Sequence, residues 1–344
     1  MSRVQYPQLW ITYGPQTRDD RMIDALIGSG ATGTRFTFSY GTPELQAERA
    51  DQVRRSADRL GKDVLLVADL QGEKCRLAKI DGVDEIRIKH GERVFFTAGS
   101  GPTGVQGKKF EVQNATFLNR VKVGDTIIEG DGGMMLEVIE TNQASITCRP
   151  LWDGVLHPGR GLVIRSSVFT PAPLTAKDRE DLREIARCDK FDAVAISFVR
   201  NAADIQEVRD VLSMSKKELS VIAKIETPSG LSQIHAIAEA ADIIMAARGD
   251  LALFLPWVEL YDAVGTISDA AEAHRCPWIL ATQIVEGLER FAFPTRAEIC
   301  DLAHWITRGA LGAMLSFETA FGTHPDEAVE CVRAVLERYG RKER

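Results

Sequence analysis

The sequence has few of the features that mark disulfide-rich, zinc-binding or membrane proteins. Its six cysteines and six histidines are scattered, and no Cys-x-x-Cys pair occurs. Neither a disulfide framework nor a zinc site is indicated, so a reduced, cytoplasmic setting and a hard cation held by oxygen atoms are expected. The longest apolar stretches, such as residues 64–68 and 243–247, are far shorter than the roughly 20 residues of a membrane helix. The N-terminus has no apolar core of a signal peptide, and no membrane partner is expected.

Charge of either sign is in small excess only. The 344 residues include 42 Lys and Arg against 49 Asp and Glu, which gives a formal net charge of -7. This acidic balance argues against a nucleic-acid partner. Apolar residues at 44% and charged residues at 26% exclude wholesale disorder. The length suits about two domains, or one large α/β barrel with an insertion.

Short apolar runs alternate with amphipathic stretches along most of the chain. The predicted strands cover residues 9–13, 33–38, 64–68, 193–198, 221–225, 243–246, 278–281 and 313–315. The predicted helices lie near residues 19–29, 44–60, 177–188, 203–214, 230–240, 256–274, 296–308 and 325–339. Eight strand–helix units in this order predict an α/β fold, a (β/α)₈ barrel of the TIM type.

The alternation breaks once, after the third predicted strand. From about residue 74 to residue 169, short β-like runs are separated by Gly-Asp turns, and helical periodicity is weak. We therefore expect a barrel domain formed by residues 1–73 and 170–344, with a small β-rich domain of residues 74–169 inserted in it.

Charged residues follow the fifth and sixth predicted strands. Lys224 and Glu226 lie two positions apart on one strand, so they project to the same side. A lysine in an apolar strand needs an anionic partner, which is either a ligand or Glu226 itself in a structural ion pair. Asp250 ends the next strand, and two carboxylates on adjacent strand ends suit Mg²⁺ or Mn²⁺. Arg248 is expected to pair with Asp250 at the rim or with Glu318 after the eighth strand.

Polar side chains also end the second, third and seventh predicted strands. Arg35, Thr37 and Ser39 share one face, which predicts an anion-binding surface or a salt bridge across the barrel rim. Asp69 ends a buried run, so it is expected to be paired, metal-bound or facing the cleft, unless it caps the next turn. Thr282 places a hydroxyl at the same mouth or is an ordinary rim threonine.

The chain resembles pyruvate kinases from about residue 9 to residue 338. The matching stretches are ITYGPQT at 11–17, TRFTFSYGT at 34–42, ADLQGEKCRL at 68–77, SFVRNAAD at 197–204, AKIE at 223–226, AARGDL at 246–251, ATQ at 281–283, PTRAE at 294–298 and MLSFETAFG at 314–322. The AKIE, ARGD, ATQ and PTRAE series is highly specific in this order and spacing. The inserted segment matches the lid domain of the family, a small β-barrel.

The resemblance implies an enzyme that moves a phosphoryl group between phosphoenolpyruvate and a nucleoside diphosphate and yields pyruvate. Arg35 and Lys224 would hold the transferred phosphoryl group. The backbone N–H groups of Gly249 and Asp250, together with Thr282, would receive the substrate carboxylate. Thr282 would also assist protonation of the enolate.

The resemblance further implies the bound ions and the nucleotide contacts. Glu226 and Asp250 would bind the divalent cation, Mg²⁺ or Mn²⁺, and Arg76 and Thr37 would lie at the nucleotide phosphates. The second substrate would then be a nucleoside diphosphate.

The monovalent-cation pocket of the family is altered in this sequence. Ser39 and Asp69 match its ligands, but Thr37 stands where asparagine is usual. Lys74 and Leu77 resemble the potassium-independent branch, in which a lysine supplies the missing positive charge. We therefore expect no requirement for K⁺.

Departures from the family lie mainly on the nucleotide and lid side. Tyr40 replaces a histidine, Glu73 a proline and Phe317 a glycine, and only Asp131 remains of the acidic pair of the lid. An alternative is therefore a metal-dependent decarboxylase, C–C lyase or transferase that binds a pyruvate-like acid in the same pocket without a nucleotide. A non-catalytic ligand sensor is a third possibility.

The sequence ends after the eighth predicted helix. The C-terminal regulatory domain of the family, and the sugar-phosphate control that goes with it, are therefore not expected. A homo-oligomer is expected, and a dimer through barrel helices is favoured.

Overall fold

A computed structural model describes residues 7–98, 107–130, 132–142, 144–165 and 170–340. The chain divides into two compact units, each with its own apolar core. So far as their residues are described, the first unit comprises Met1–Gly72, Ala172–Leu251 and Trp257–Arg344, and the second comprises Glu73–Pro171 and Ala252–Pro256. Within the described ranges, no helix is long and apolar enough to cross a membrane.

The strands and helices are numbered in chain order. The strands are β1 (Gln8–Thr12), β2 (Gly33–Thr37), β3 (Leu65–Asp69), β4 (Cys75–Arg76), β5 (Ile86–Ile88), β6 (Val94–Thr97), β7 (Lys109–Glu111), β8 (Thr126–Glu129), β9 (Met134–Thr141), β10 (Ser145–Pro150), β11 (Gly154–Leu156), β12 (Gly161–Arg165), β13 (Ala193–Ile196), β14 (Ser220–Ile225), β15 (Ile243–Ala247), β16 (Trp278–Ala281) and β17 (Gly312–Met314). The α-helices are α1 (Asp20–Gly28), α2 (Pro43–Leu60), α3 (Ala115–Arg120), α4 (Ala176–Cys188), α5 (Ala202–Leu212), α6 (Pro228–Ser232), α7 (Ile234–Ala240), α8 (Arg248–Phe254), α9 (Leu260–His274), α10 (Arg296–Thr307), α11 (Phe317–Ala320) and α12 (Pro325–Tyr339). Short 3₁₀ turns lie at Pro15–Thr17, Trp257–Glu259 and Glu286–Glu289.

Eight parallel strands of the first unit close into a barrel, in the spatial order β1-β2-β3-β13-β14-β15-β16-β17 and back to β1. Each predicted strand falls on one of these, so the predicted (β/α)₈ barrel is confirmed. At the closure, a Cβ atom on Gly312 would lie 1.6 Å from the carbonyl oxygen of Gln8, so only glycine fits there.

Several barrel helices begin at caps that the sequence contains. Thr175 and Thr295 each accept a hydrogen bond from the backbone N–H three residues on, where Asp178 and Glu298 bond back to the threonine N–H. Each pair forms a capping box. Asn201 caps α5 in the simpler way, because its side chain accepts from two N–H groups of the first turn.

Some helical segments differ from the sequence prediction. The helix predicted at residues 230–240 is two helices, α6 and α7, which meet at Gln233. The helix predicted from residue 256 begins at Leu260, after a 3₁₀ turn. The short helices α8 and α11 were not predicted, because so few turns do not establish a helical period in the sequence.

Side chains on the barrel strands alternate between the interior and the surrounding helices. On β14, Ile222 belongs to the interior apolar cluster, which also contains Trp10 and Met245. Lys224 and Glu226 follow on the same face, because strand side chains repeat every two residues. The interior is therefore apolar along most of β14 and charged at its carboxyl end.

The second unit is built on a seven-stranded sheet in the order β4-β12-β8-β9-β10-β6-β7, with a separate ribbon of β11 and β5. Its two edges meet where Leu77 bridges Val112, and the Ala78 N–H donates to the carbonyl of Glu111 at 2.8 Å. These contacts link the first and last strands of the seven-stranded sheet. Its core contains large apolar side chains such as Phe96.

Candidate functional site

Lys224 is the centre of a charged cluster at the carboxyl ends of the barrel strands. Its side chain is buried, and the residue is only 8% exposed. The ammonium Nζ donates to Asp69 Oδ1 at 3.0 Å and to Ser197 Oγ at 2.8 Å, and it lies 3.2 Å from Glu226 Oε1. Residues from β3, β14 and the segment after β13 therefore meet around one positive charge.

Asp69 joins Lys224 to a second cation. Arg35, on β2, donates from Nε to Asp69 Oδ2 at 2.6 Å, and its Nη1 lies 3.4 Å from the Thr12 hydroxyl. Burial by itself raises the pKa of Asp69, but the charges of Lys224 and Arg35 outweigh it and hold the pKa below its ordinary value. Asp69 is therefore ionised and paired, which is one of the three environments that the sequence left open.

The ammonium of Lys224 stays charged despite its burial. Burial alone lowers the pKa of Lys224, but the carboxylates of Asp69 and Glu226 outweigh that effect, so the pKa lies above its ordinary value. Asp250 raises the pKa of Lys224 further, and Arg35 lowers it. The field of Asp250 therefore reaches the same ammonium group, although Asp250 lies on a different element, in the first turn of α8.

Glu226 and Asp250 are the two carboxylates predicted to bind a divalent cation. Glu226 is 2% exposed, and its Oε2 accepts the N–H of Phe198 at 2.6 Å. Phe198 has a φ of 54°, so a left-handed backbone turn aims this N–H at the carboxylate. Among the described residues, no three His, Cys, Asp or Glu side chains form a metal site by themselves. Two carboxylates suit Mg²⁺, which usually completes its shell with water and substrate oxygens.

Thr282 and Gly249 contact each other at the ends of β16 and β15. Thr282 has a φ of 71°, in the left-handed region that non-glycine residues rarely adopt. A Cβ atom on Gly249 would lie 2.8 Å from Thr282 Cγ2 and 3.2 Å from its Oγ1. Glycine therefore lets the backbone before Asp250 approach the threonine hydroxyl closely.

The expected pairing of Arg248 with Glu318 was wrong. Arg248 pairs with Asp301 on α10 and donates to the carbonyls of Thr282 and Gln283 at 2.7 and 3.0 Å. Glu318 is buried, and it accepts hydrogen bonds from three backbone N–H groups in the segments after β16 and β17. Its carboxylate joins those two segments, so it needs no cationic partner.

Thr37 and Ser39, two residues of the predicted monovalent-cation pocket, lie near the third, Asp69. Thr37 is paired in register with Asp69 on the neighbouring strand, and its hydroxyl accepts the N–H of Ser39 at 3.4 Å. Lys74 and Arg76 belong to the second unit, where Arg76 Nη1 donates to the carbonyl of Gly159 at 3.2 Å. Their nucleotide and cation roles stay predictions.

Ser197 and Asp301 contact site residues and were not predicted from the sequence. Ser197 contacts Lys224 and also donates to the carbonyl of Leu70 at 2.7 Å, so it fixes the ammonium from the fourth barrel strand. Its position in the matched stretch SFVRNAAD could have drawn attention to it. The pairing of Arg248 with Asp301 had no such signal, because it depends on how α10 packs against the turn after β16.

A parallel eight-stranded barrel with buried charges at the carboxyl ends of its strands is the architecture of the barrel enzymes. The family model for the pyruvate kinase barrel domain matches residues 6–329. Pyruvate kinases of Staphylococcus aureus strains MRSA252 and USA300 are both 33% identical to this chain over 329 residues, which cover 94% of it and 55% of each relative. The chain belongs to the pyruvate kinase family. It spans about half the length of the curated relatives it matches.

Proposed function

We propose that the protein is a pyruvate-kinase-like phosphotransferase, which moves a phosphoryl group between phosphoenolpyruvate and a nucleoside diphosphate and yields pyruvate. The observation that carries this proposal is the buried, charged Lys224 between Asp69 and Glu226, with Arg35 on the same carboxylate. Family membership supports it, since the matched region is the barrel domain.

Arg35 and Lys224 would face the transferred phosphoryl group. Phosphoryl transfer needs little covalent chemistry from the protein, because catalysis is mostly positioning and neutralisation of charge. The bonds of Asp69 to both cations keep these groups ordered without substrate. An ordered cation loses less conformational freedom when an anion binds, which favours transfer.

Glu226 and Asp250 would hold the divalent cation, Mg²⁺ or Mn²⁺. When bound, this ion would neutralise charge on the substrate phosphate and carboxylate. Glu226 is prepared for the role because the Phe198 N–H fixes one carboxylate oxygen and Lys224 faces the other. The fixed carboxylate supports a site that is ordered before the ion arrives.

Thr282 would act at the other end of the substrate. The backbone N–H groups of Gly249 and Asp250 and the Thr282 hydroxyl would receive the substrate carboxylate. Thr282 would also help to deliver a proton to the methylene carbon of the enolate left by phosphoryl transfer. The close approach of Gly249 to Thr282 supports this shared role. We further propose that Arg76 and Thr37 contact the nucleotide phosphates.

We also propose a cytoplasmic enzyme that acts as a homodimer on small molecules. All six cysteines are free thiols, which suits a reducing compartment. Trp257, which lies just before α9, is 74% exposed, and Tyr261, on α9, is 61% exposed. Exposed aromatic side chains of this kind support a subunit contact through barrel helices. Sedimentation of the protein at several concentrations measures the oligomeric state.

One assay tests the proposed reaction. The protein is incubated with phosphoenolpyruvate, Mg²⁺ and a panel of nucleoside diphosphates, and pyruvate is measured. We expect pyruvate formation that depends on one or more of the nucleotides. Turnover, or exchange of substrate protons with solvent, that needs no nucleotide would instead indicate the alternative enzyme, a decarboxylase, C–C lyase or transferase that acts on a pyruvate-like acid. Tight binding of small acids without turnover would indicate a sensor.

A further inference from the structure

Thr282 and Gln283 form an unusual backbone turn directly after β16. Their φ angles are 71° and 52°, and two consecutive non-glycine residues in the left-handed region are rare. Such a turn is unfavourable in isolation and persists only where surrounding groups hold it. Thr282 is the residue whose hydroxyl the proposed reaction uses, so the groups that hold this turn also place that hydroxyl.

Arg248 holds the turn from its carbonyl side. Its Nη2 donates to the carbonyl of Thr282 at 2.7 Å and to that of Gln283 at 3.0 Å, and its Nε lies 3.4 Å from the carbonyl of Ala281. The Arg248 side chain is only 12% exposed. One planar guanidinium therefore binds three consecutive carbonyl groups, which a lysine ammonium on a flexible stem cannot match in geometry.

Asp301 fixes the guanidinium in turn. Its carboxylate pairs with Arg248 Nη1, and its Oδ1 accepts the indole N–H of Trp305 at 2.9 Å. Asp301 and Trp305 both lie on α10, so one rigid helix orients the Arg248 guanidinium. The carbonyls of the turn and the carboxylate of α10 thus bind different nitrogens of the same side chain.

The residue after Arg248 contacts Thr282 from its side-chain face. A Cβ atom on Gly249 would lie 3.2 Å from Thr282 Oγ1. Arg248 and Gly249 therefore hold Thr282 between them, one at its carbonyl and one beside its hydroxyl. Loss of the hydrogen bonds from the Arg248 guanidinium would alter the φ of Thr282 and with it the direction of the Cα–Cβ bond.

We propose that Arg248 is a positioning residue, which keeps Thr282 in its left-handed turn and thereby aims the threonine hydroxyl at the enolate. The inference rests on the proposed function, since it deepens the role of Thr282 in that reaction. Arg248 acts through Thr282, so its loss should slow proton delivery in the same way as loss of the hydroxyl.

The test compares Arg248→Gln, Thr282→Ala and the double variant in the full chain. Two rates are measured with Mg²⁺ present: pyruvate formation from phosphoenolpyruvate, and deuterium uptake from solvent into the pyruvate methyl group by NMR. We expect each single variant to lower the exchange rate by about 100-fold, because small misplacements at a reacting centre have effects of this size. The double variant should be no slower than Thr282→Ala, since both changes remove one function.

Two further variants keep the test decisive. Arg308→Gln is the matched control, because Arg308 also pairs with an aspartate, Asp269 at 2.7 Å, but is the residue that caps the C-terminus of α10, seven positions after Asp301. It should keep wild-type rates. Should Arg248→Gln fail to fold, Asp301→Asn is the replacement, because it weakens the ion pair that orients the Arg248 guanidinium. The inference would then be supported by a smaller fall in the exchange rate that disappears when Thr282→Ala is already present.

The outcomes separate the inference from the function it rests on. A wild-type protein that forms no pyruvate and exchanges no protons would overturn both. An active wild type with independent, multiplicative losses for Arg248→Gln and Thr282→Ala would overturn the positioning role alone. Unchanged exchange in Arg248→Gln would do the same.

Discussion

Two buried carboxylates share one ammonium group at the carboxyl end of the barrel. Lys224 contacts the carboxylates of Asp69 and Glu226, both of which are buried. Replacing Lys224 with methionine keeps a long unbranched side chain, one atom shorter, but leaves these carboxylates without their shared cation. Breaking a buried ion pair in this way costs about 3–5 kcal/mol.

We expect Lys224→Met to lose phosphoryl transfer by about 10²–10³-fold or more, as removal of a transition-state charge partner does. Pyruvate formation measures the loss, and thermal unfolding measures the cost in stability. The double variant Glu226→Gln/Lys224→Met removes the charge of the second carboxylate while Asp69 keeps its ion pair with Arg35, so it should recover stability but not activity. Full activity in Lys224→Met would contradict the role of the ammonium.

The same charges predict the response to K⁺. Each carboxylate oxygen of Asp69 already faces a cation, Lys224 at 3.0 Å or Arg35 at 2.6 Å. A monovalent cation would therefore find little uncompensated negative charge on Asp69. We expect equal activity in KCl and in tetramethylammonium chloride at constant ionic strength, which removes screening as a variable. Activity that rises strongly with K⁺ would contradict this.

Some contacts of the site residues follow from local sequence patterns, whereas others depend on tertiary packing. Lys224 and Glu226 follow from a local rule, because strand side chains repeat every two residues. Their meeting with Asp69 and Arg35 follows once a barrel is assumed, because parallel strands bring their carboxyl ends together. The partner of Arg248 depends on how α10 packs against the turn after β16, and no local pattern encodes that packing.

At the scale of elements, the short helix α8 contains a glycine, Gly249, at its contact with Thr282. Glycine inside a helix normally costs about 0.5–1 kcal/mol relative to alanine. At Gly249, however, a Cβ atom would lie 2.8 Å from Thr282 Cγ2, whereas at Gly265 in α9 it would meet nothing within 4 Å. These two helical glycines therefore form a matched pair with opposite expectations.

We expect Gly249→Ala to lower pyruvate formation by about 100-fold, because it displaces Thr282. Gly265→Ala should leave activity unchanged and raise stability by about 0.4–1 kcal/mol, mainly through a less flexible unfolded chain. Steady-state kinetics and denaturant unfolding measure both effects. A Gly249→Ala variant that is as active as Gly265→Ala would show that the close contact is unimportant.

Strand β8 of the second unit ends in a buried acid. Glu129 is fully buried, and its Oε1 accepts the N–H of His157 at 3.0 Å and lies 3.3 Å from His157 Nδ1. Burial raises the pKa of Glu129, and the contacts with His157 and the charge of Arg160 offset this only in part. The folded chain therefore keeps this proton to a higher pH than the unfolded chain does.

This difference gives a pH dependence of known sign. As the pH rises above the ordinary glutamate pKa of about 4.3, the unfolded state loses the proton first, so stability falls until the folded pKa is passed. In Glu129→Gln this fall is absent. We expect the melting temperature of Glu129→Gln, measured relative to that of the wild type, to increase as the pH is raised from 4 to 7. A difference in melting temperature between Glu129→Gln and the wild type that stays constant over this pH range would contradict the assignment.

At the scale of the molecule, the sequence pattern was sufficient for the architecture. Eight alternating strand–helix units predicted the barrel, and the change to period-two runs with Gly turns predicted a separate β-rich segment. The roles of the two parts as catalytic barrel and lid stay predictions. Residues 252–256 group with the second unit although they lie far from it in sequence. A grouping of this kind depends on tertiary packing, which local patterns do not report.

The cysteines measure how the two units open. Burial raises the pKa of Cys75, Cys148 and Cys276 to about 12, whereas the Cys300 side chain is exposed. Because the thiolate is the reactive form, a buried thiol at pH 8 would be ionised in only about one molecule in 10⁴. Maleimide should therefore label Cys300 rapidly in the native protein and the other three only when the structure opens.

The three slow sites lie in different units: Cys75 and Cys148 in the second, Cys276 in the first. Because each unit has its own apolar core, we expect the units to open separately. Labelling in dilute denaturant, followed by mass spectrometry of peptides, should then give one rate for Cys75 and Cys148 and a different rate for Cys276. A common rate for all three would mean that the whole chain opens in one cooperative step, and different rates for Cys75 and Cys148 would mean that the second unit opens in parts.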